Sequence, residues 1–236
     1  MASNKAPMAL TAELVARVAR VEPDPGPIPG FDHHTERDYD DLVDALLAAH
    51  QSDQFWVFAY GSLIWKPAFA FIAQERVTAK GWHRSFCLKI ARWRGTADLP
   101  GLMMTLDRGG QCAGVAYRLA DDDIKGQLGL LVRREVSLKP TANAPRWIKV
   151  TTGDVHRQAL AFTANPRSRN YAPGLSPAQI AWTLARAAGH WGTGAEYLHQ
   201  TVLHLDSFGI RDRNLWRLQE LVAREIADWR PAPPEA

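Results

Sequence analysis

The feature that most limits the fold is Phe55-Trp-Val-Phe-Ala-Tyr60, six apolar or aromatic residues in a row, stopped by Gly61. A short continuous run with no polar alternation reads as a strand buried on both faces. Further strand candidates lie at 70–79, 81–90, 102–106, 111–119, 146–151 and 158–163. In Gly114-Val-Ala-Tyr-Arg-Leu119 the side chains alternate in size and polarity, as a strand with one wet face requires. One helix interrupts the strands at 121–136, with Asp121 as its cap, and helices at 177–188, 195–208 and 212–229 close the chain. Gly189, Gly192 and Gly209 fall where helices should stop. Strands clustered centrally, with helices inserted once and appended at the end, give an α+β class rather than alternating βαβ units.

The first 50 residues read as an appendage. A short helix at 11–21 carries Leu14, Val15 and Val18 on one face, and another at 40–50 turns Leu42, Val43, Leu46 and Leu47 inward. Between them, Glu22 to Gly30 holds four prolines and two glycines, which forbid regular structure. The expected division is therefore a helical appendage with a Pro-rich linker at 1–50, one domain at 51–230, and a loose tail at 231–236. A hydrophobic fraction of 46% with 22% charged residues is globular composition. Lys plus Arg number 28 against 25 acidic residues, a net +3, with no basic block longer than a pair, so no nucleic-acid partner is indicated. No stretch approaches the ~20 apolar residues of a membrane span, and the residues after Met1 are too polar for a signal peptide. Two cysteines, Cys87 and Cys112, make neither a disulfide framework nor a four-thiolate zinc site, which points to the cytoplasm.

Phosphate-loop, nucleophile-elbow and zinc-protease signatures do not occur, and the eight histidines are scattered without an acidic or thiol cluster, so no metal is expected. Two features remain. The first is the turn Phe58-Ala-Tyr-Gly-Ser-Leu63 after the buried strand. A sharp break at Gly61-Ser62 aims consecutive N–H groups outward, a nest suited to carboxylates or oxyanions. Spacing alone favours a plain turn with Gly61 at positive φ. The second is Glu135. Ile124, Leu128 and Leu131 form an apolar stripe whose next member is position 135, so the carboxylate should point inward. Such a group is ion-paired, neutral or chemically active, and spacing does not separate these readings.

The motifs occur as a series: Tyr60-Gly-Ser-Leu-Ile-Trp65 with Pro67, Gly81-Trp-His-Arg-Ser-Phe-Cys-Leu88, Arg94-Gly-Thr96 with Pro100-Gly101, Gly114-Val-Ala-Tyr117, Leu130-Leu-Val-Arg-Arg-Glu135 and Gly192-Thr-Gly-Ala-Glu-Tyr-Leu198. The series resembles the ChaC-type γ-glutamylcyclotransferases, which act on glutathione, over about three quarters of the chain. The resemblance implies a small mixed β-barrel with flanking helices and a substrate cavity at one mouth. It implies Glu135 as the acid/base residue and a substrate loop of Phe58, Ala59, Tyr60, Gly61, Ser62 and Leu63. Arg94 is a candidate partner for a substrate carboxylate, with Tyr117 and Tyr197 as hydroxyl donors. The reaction implied is an intramolecular acyl transfer that releases 5-oxoproline and needs no cofactor. Another γ-glutamyl substrate, or a non-catalytic regulator of cation transport on the same fold, are the alternative readings. Ala59, Leu102 and the absence of an aromatic residue at 136–145 depart from the family pattern.

Overall fold

The computed structural model describes residues 6–229, so the tail expected at 231–236 lies outside the described residues. The chain begins with α1 (Ala12–Val18), β1 (Asp32–His33) and α2 (Glu36–Ala48). It continues through β2 (Trp56–Ala59), a single 3₁₀ turn (Ser62–Ile64), β3 (Phe71–Ile90) and β4 (Gly101–Leu119). After α3 (Ile124–Glu135) come β5 (Leu138–Lys139), β6 (Asn143–Thr152) and β7 (Val155–Ala164), then α4 (Pro177–Arg186), α5 (Gly194–Ser207) and α6 (Arg213–Asp228). The class is α+β, as the strand and helix order implied.

Five strands close a barrel in the order β2-β4-β3-β6-β7. Antiparallel ladders join neighbours in that order, and β7 closes the ring by pairing parallel to β2 at Leu160 and Val57 and to β4 at Thr163 and Leu106. All four residues of β2 are buried, which is why they are all apolar. With Leu106, Val115, Leu119 and Leu160 they form the centre of the core. Closure leaves no edge to protect.

Two breaks expected in the sheet are not breaks. Candidate strands 70–79 and 81–90 run together as β3, and 102–106 and 111–119 as β4. The register passes from Lys80 opposite Gln111 to Trp82 opposite Arg108, so Gly81 faces Gly109 and Gly110 across a bulge. All three glycines have positive φ (81°, 106° and 65°), a backbone state that side chains disfavour. The glycines bend a continuous ribbon instead of ending it, which suits a small barrel.

Residues 6–50 are not set apart from the domain. Leu10 is fully buried and its N–H donates to Gln219 Oε1 of α6 at 2.7 Å. Val18, Val43 and Leu46 join the same core as the barrel strands. A capping box of Thr35 and Asp38 starts α2, four residues earlier than its apolar stripe implies. Tyr39 donates to the Val136 carbonyl at 2.9 Å and Glu36 pairs with Arg133 at 2.5 Å, so α2 braces the C-terminal end of α3. Even the Pro-rich segment is fastened, by two 2.7 Å bonds from Arg92 to Asp24. The apolar faces were visible in the sequence; their partners, some 200 residues away for Leu10, were not.

Arg84 ties the C-terminal helices to the barrel. Its side chain is 2% exposed and bonds Asp212, the N-cap of α6, at 2.9 Å. The same guanidinium donates to the Tyr60 carbonyl at 2.7 Å and to the Ala113 carbonyl. The end of β2 is thereby fixed just before the chain turns at Gly61.

Candidate active site

A cavity of about 470 Å³ opens at one barrel mouth. Tyr60, Gly61, Ser62 and Leu63 line it from the turn after β2, Arg134 and Glu135 from the end of α3, and Glu196 and Tyr197 from the start of α5. Asn143 of β6, Phe162 of β7 and Met104 of β4 form its floor and walls, and Trp93, Arg94 and Trp191 belong to the same lining.

The stripe along α3 places Glu135 as its spacing implied. Leu128 and Leu131 are fully buried, and Glu135 ends the helix with a side chain 16% exposed. Its Oε2 accepts from Asn143 Nδ2 at 3.2 Å, and its Oε1 lies 3.4 Å from Arg134 Nε. Burial raises the carboxyl above its ordinary value, and the nearby Arg134 charge offsets part of that rise. Arg134 also donates to Ser62 Oγ at 3.1 Å and to the Lys66 carbonyl, joining the helix end to the turn.

Gly61 does not have positive φ; it sits at −143°. Glycine suits the position for a different reason. A Cβ there would lie 3.0 Å from both the Tyr197 hydroxyl and Met104 Cε, so a side chain would have to push these two groups back. The turn then tightens into its 3₁₀ form, with Ile64 donating to the Gly61 carbonyl at 2.9 Å. Within such a turn the first N–H groups, here those of Ser62 and Leu63, have no partner of their own. Burial and the Glu135 charge both push the Tyr197 hydroxyl well above the ordinary tyrosine range. Burial does the same to Tyr60, which donates to the Phe162 carbonyl at 2.7 Å.

Other expected site residues stand elsewhere. Phe58 and Ala59 are fully buried in β2 and are not part of the cavity lining. They shape the loop from behind. Tyr117 is likewise buried, its hydroxyl donating to the Ile64 carbonyl at 3.3 Å and its ring packed on Phe69 and Phe71. It buttresses the 3₁₀ turn from outside the cavity. Arg94 does line the cavity, but as a buried ion-pair partner: its guanidinium bonds Glu196 at 2.9 Å and the Thr193 carbonyl at 2.7 Å. Sequence reading missed Arg134, Asn143 and Glu196. The first adjoins Glu135 in the quoted motif and the last stands in the Gly192 to Leu198 motif, so both were within sight; nothing local marked Asn143. Among the described residues, no group of three or more His, Cys, Asp or Glu converges as a metal site requires.

Fold and site together define a barrel protein with a cavity at one mouth and a largely buried carboxylate in its wall. The sequence pattern of the ChaC-like protein family matches residues 55–225. The chain is 37% identical over 188 residues to the glutathione-specific γ-glutamylcyclotransferase of Escherichia coli, covering 79% of this chain and 80% of that one. It is 30% identical to γ-glutamylcyclotransferase 2-3 of Arabidopsis thaliana, over 73% and 90% of the two chains. Among solved structures, a glutathione-specific γ-glutamylcyclotransferase from yeast superposes with a TM-score of 0.66 at 18% identity, over 74% of this chain and 97% of that one. The chain belongs to the ChaC-like family.

Proposed function

We propose that this protein is a γ-glutamylcyclotransferase that cleaves glutathione into 5-oxoproline and Cys-Gly. The observation that carries the reading is the largely buried Glu135 carboxylate lining the same cavity as the Tyr60–Leu63 turn, in a chain of this family.

The substrate's α-amine attacks its own γ-carbonyl carbon. A C–N bond closes the five-membered lactam, the bond to the cysteinyl nitrogen breaks, and no water is consumed. The α-amine has an ordinary pKa of roughly 8 and arrives mostly as ammonium. A carboxylate whose proton affinity is raised by burial takes that proton and returns it to the departing nitrogen; the second proton, shed by the attacking nitrogen as the lactam forms, leaves with Cys-Gly as its ammonium. The turn, with Ser62 and its N–H groups, grips the γ-glutamyl head and holds amine and carbonyl in attack geometry. Tyr60 has committed its proton to Phe162 and acts as wall. Tyr197 lines the cavity and offers its hydroxyl to the substrate. We place the protein in the cytoplasm, a reading supported by two buried free thiols. Among the described residues no helix is long and apolar enough to cross a membrane.

A time course of 5-oxoproline release by purified protein tests the reading, with glutathione, γ-glutamyl-alanine and γ-glutamyl-lysine in parallel. Glutathione should be turned over fastest. Faster release from either other compound would move the substrate assignment, and release from none would remove the activity.

A further inference from the structure

Behind Glu135 lies a polar chain that none of the motifs contains. Asn143 Nδ2 donates to Glu135 Oε2 at 3.2 Å, and Thr105 Oγ1 donates to Asn143 Oδ1 at 2.7 Å. Thr105 is fully buried on β4, between the barrel floor and β6. Its hydroxyl carries one proton. The Asn143 carbonyl is its near acceptor, while the Phe162 carbonyl is 3.5 Å away and already takes the Tyr60 proton at 2.7 Å. With the amide facing this way, its oxygen takes the Thr105 proton and its NH₂ meets the glutamate.

We propose that Asn143, oriented by Thr105, is the positioning residue that holds Glu135 as an ionised acceptor through Oε2 and leaves Oε1 to meet the substrate ammonium. The inference rests on the cyclotransferase reading. An amide donor stabilises a carboxylate and cannot protonate it, so it favours the base form without competing for the proton. The other charged or titratable groups facing Glu135 are Arg134 from its own helix, Tyr60 from the turn after β2 and Tyr197 from α5. Arg134 divides its guanidinium among Glu135, Ser62 and the Lys66 carbonyl, and the two tyrosines titrate far above the working range. Within this set Asn143 is the neutral donor bonded to the carboxylate.

The test compares wild type with Asn143→Ala, Thr105→Val and Thr105→Ser. Asn143→Ala should lower kcat with glutathione about tenfold at neutral pH, with KM within about twofold. The acid limb of its kcat profile should move up by about one pH unit, since the carboxylate loses a stabilising donor. Thr105→Val should shift the limb the same way by less, and Thr105→Ser should restore the wild-type profile. An unmoved limb, or a loss confined to KM, would overturn the proposal. A second readout needs no turnover: the ¹³C titration of the Glu135 carboxyl, assigned by its disappearance in Glu135→Gln. A wild type inactive on glutathione removes the functional reading, whereas a carboxyl titration unchanged by Asn143→Ala removes this one.

Discussion

Two glutamates face the same cavity under opposite conditions. Glu196, at the start of α5, is bonded to Arg94 at 2.9 Å and its side chain is 45% exposed. Glu135, at the end of α3, is 16% exposed, with its arginine 3.4 Å away and shared with two other acceptors. A carboxylate locked to a guanidinium in partial contact with water serves structure. A carboxylate in a poorly solvated wall, with its cation at arm's length, has its proton affinity raised above the ordinary value. Position on the cavity is therefore not enough to choose a base; the partner and the solvent choose it.

Replacing each glutamate by glutamine is the strongest way to break this contrast. Glu135→Gln should reduce 5-oxoproline formation by ~10²–10⁴-fold, the range for loss of a positioned acid/base group. Glu196→Gln, assayed in parallel, should lose less than about tenfold. Equal losses would erase the distinction.

The next effect sharpens the geometry beside Glu135. Gly61→Val should weaken glutathione binding on the order of 100-fold by calorimetry, because its branches must displace Tyr197 or Met104, an overpacking cost of about 1–3 kcal/mol. Ser62→Ala should cost less, since the backbone donors stay. Tight binding by a folded Gly61→Val would show that the turn does not hold the substrate.

Arg84→Met tests a third pair, the one that is structural in both partners' surroundings. Asp212 and the Tyr60 carbonyl would lose their shared donor, and urea unfolding should show a loss of about 3 kcal/mol. Specific activity per folded molecule should change far less than in Glu135→Gln.

The smallest effect concerns stability and pH. Because burial raises the Glu135 pKa in the folded state, its contribution to stability is fully present below the unfolded carboxyl value and is lost as pH rises through the folded one. Glu135→Gln should therefore be at least as stable as wild type in thermal melts at neutral pH, and lose that advantage in acid. A variant markedly less stable at neutral pH would make Glu135 a structural partner.

The parts legible in the sequence were those set by local rules. The unbroken apolar run marked the innermost strand, and a four-and-three spacing aimed Glu135 inward. What escaped depends on contacts closed by the barrel. Gly81, Gly109 and Gly110 read as breaks because a bulge is recognisable only when two strands are in register. Tyr117 and Tyr197 sit in similar motifs, yet one braces the turn from behind and the other faces the cavity, a difference fixed by barrel closure. Arg94 read as substrate-facing because Glu196 lies 102 residues further on. Asn143 is an unremarkable strand-start residue until β6 brings it beside α3.

The central claim is that Glu135, rather than Glu196, exchanges the proton. The kcat–pH profile for glutathione, measured on wild type, Glu196→Gln and Glu135→Gln, tests it most directly. Wild type should show an acid limb above the ordinary carboxyl range, Glu196→Gln the same limb at the same pH, and the residual activity of Glu135→Gln none. A limb that survives in Glu135→Gln and disappears in Glu196→Gln would contradict the account.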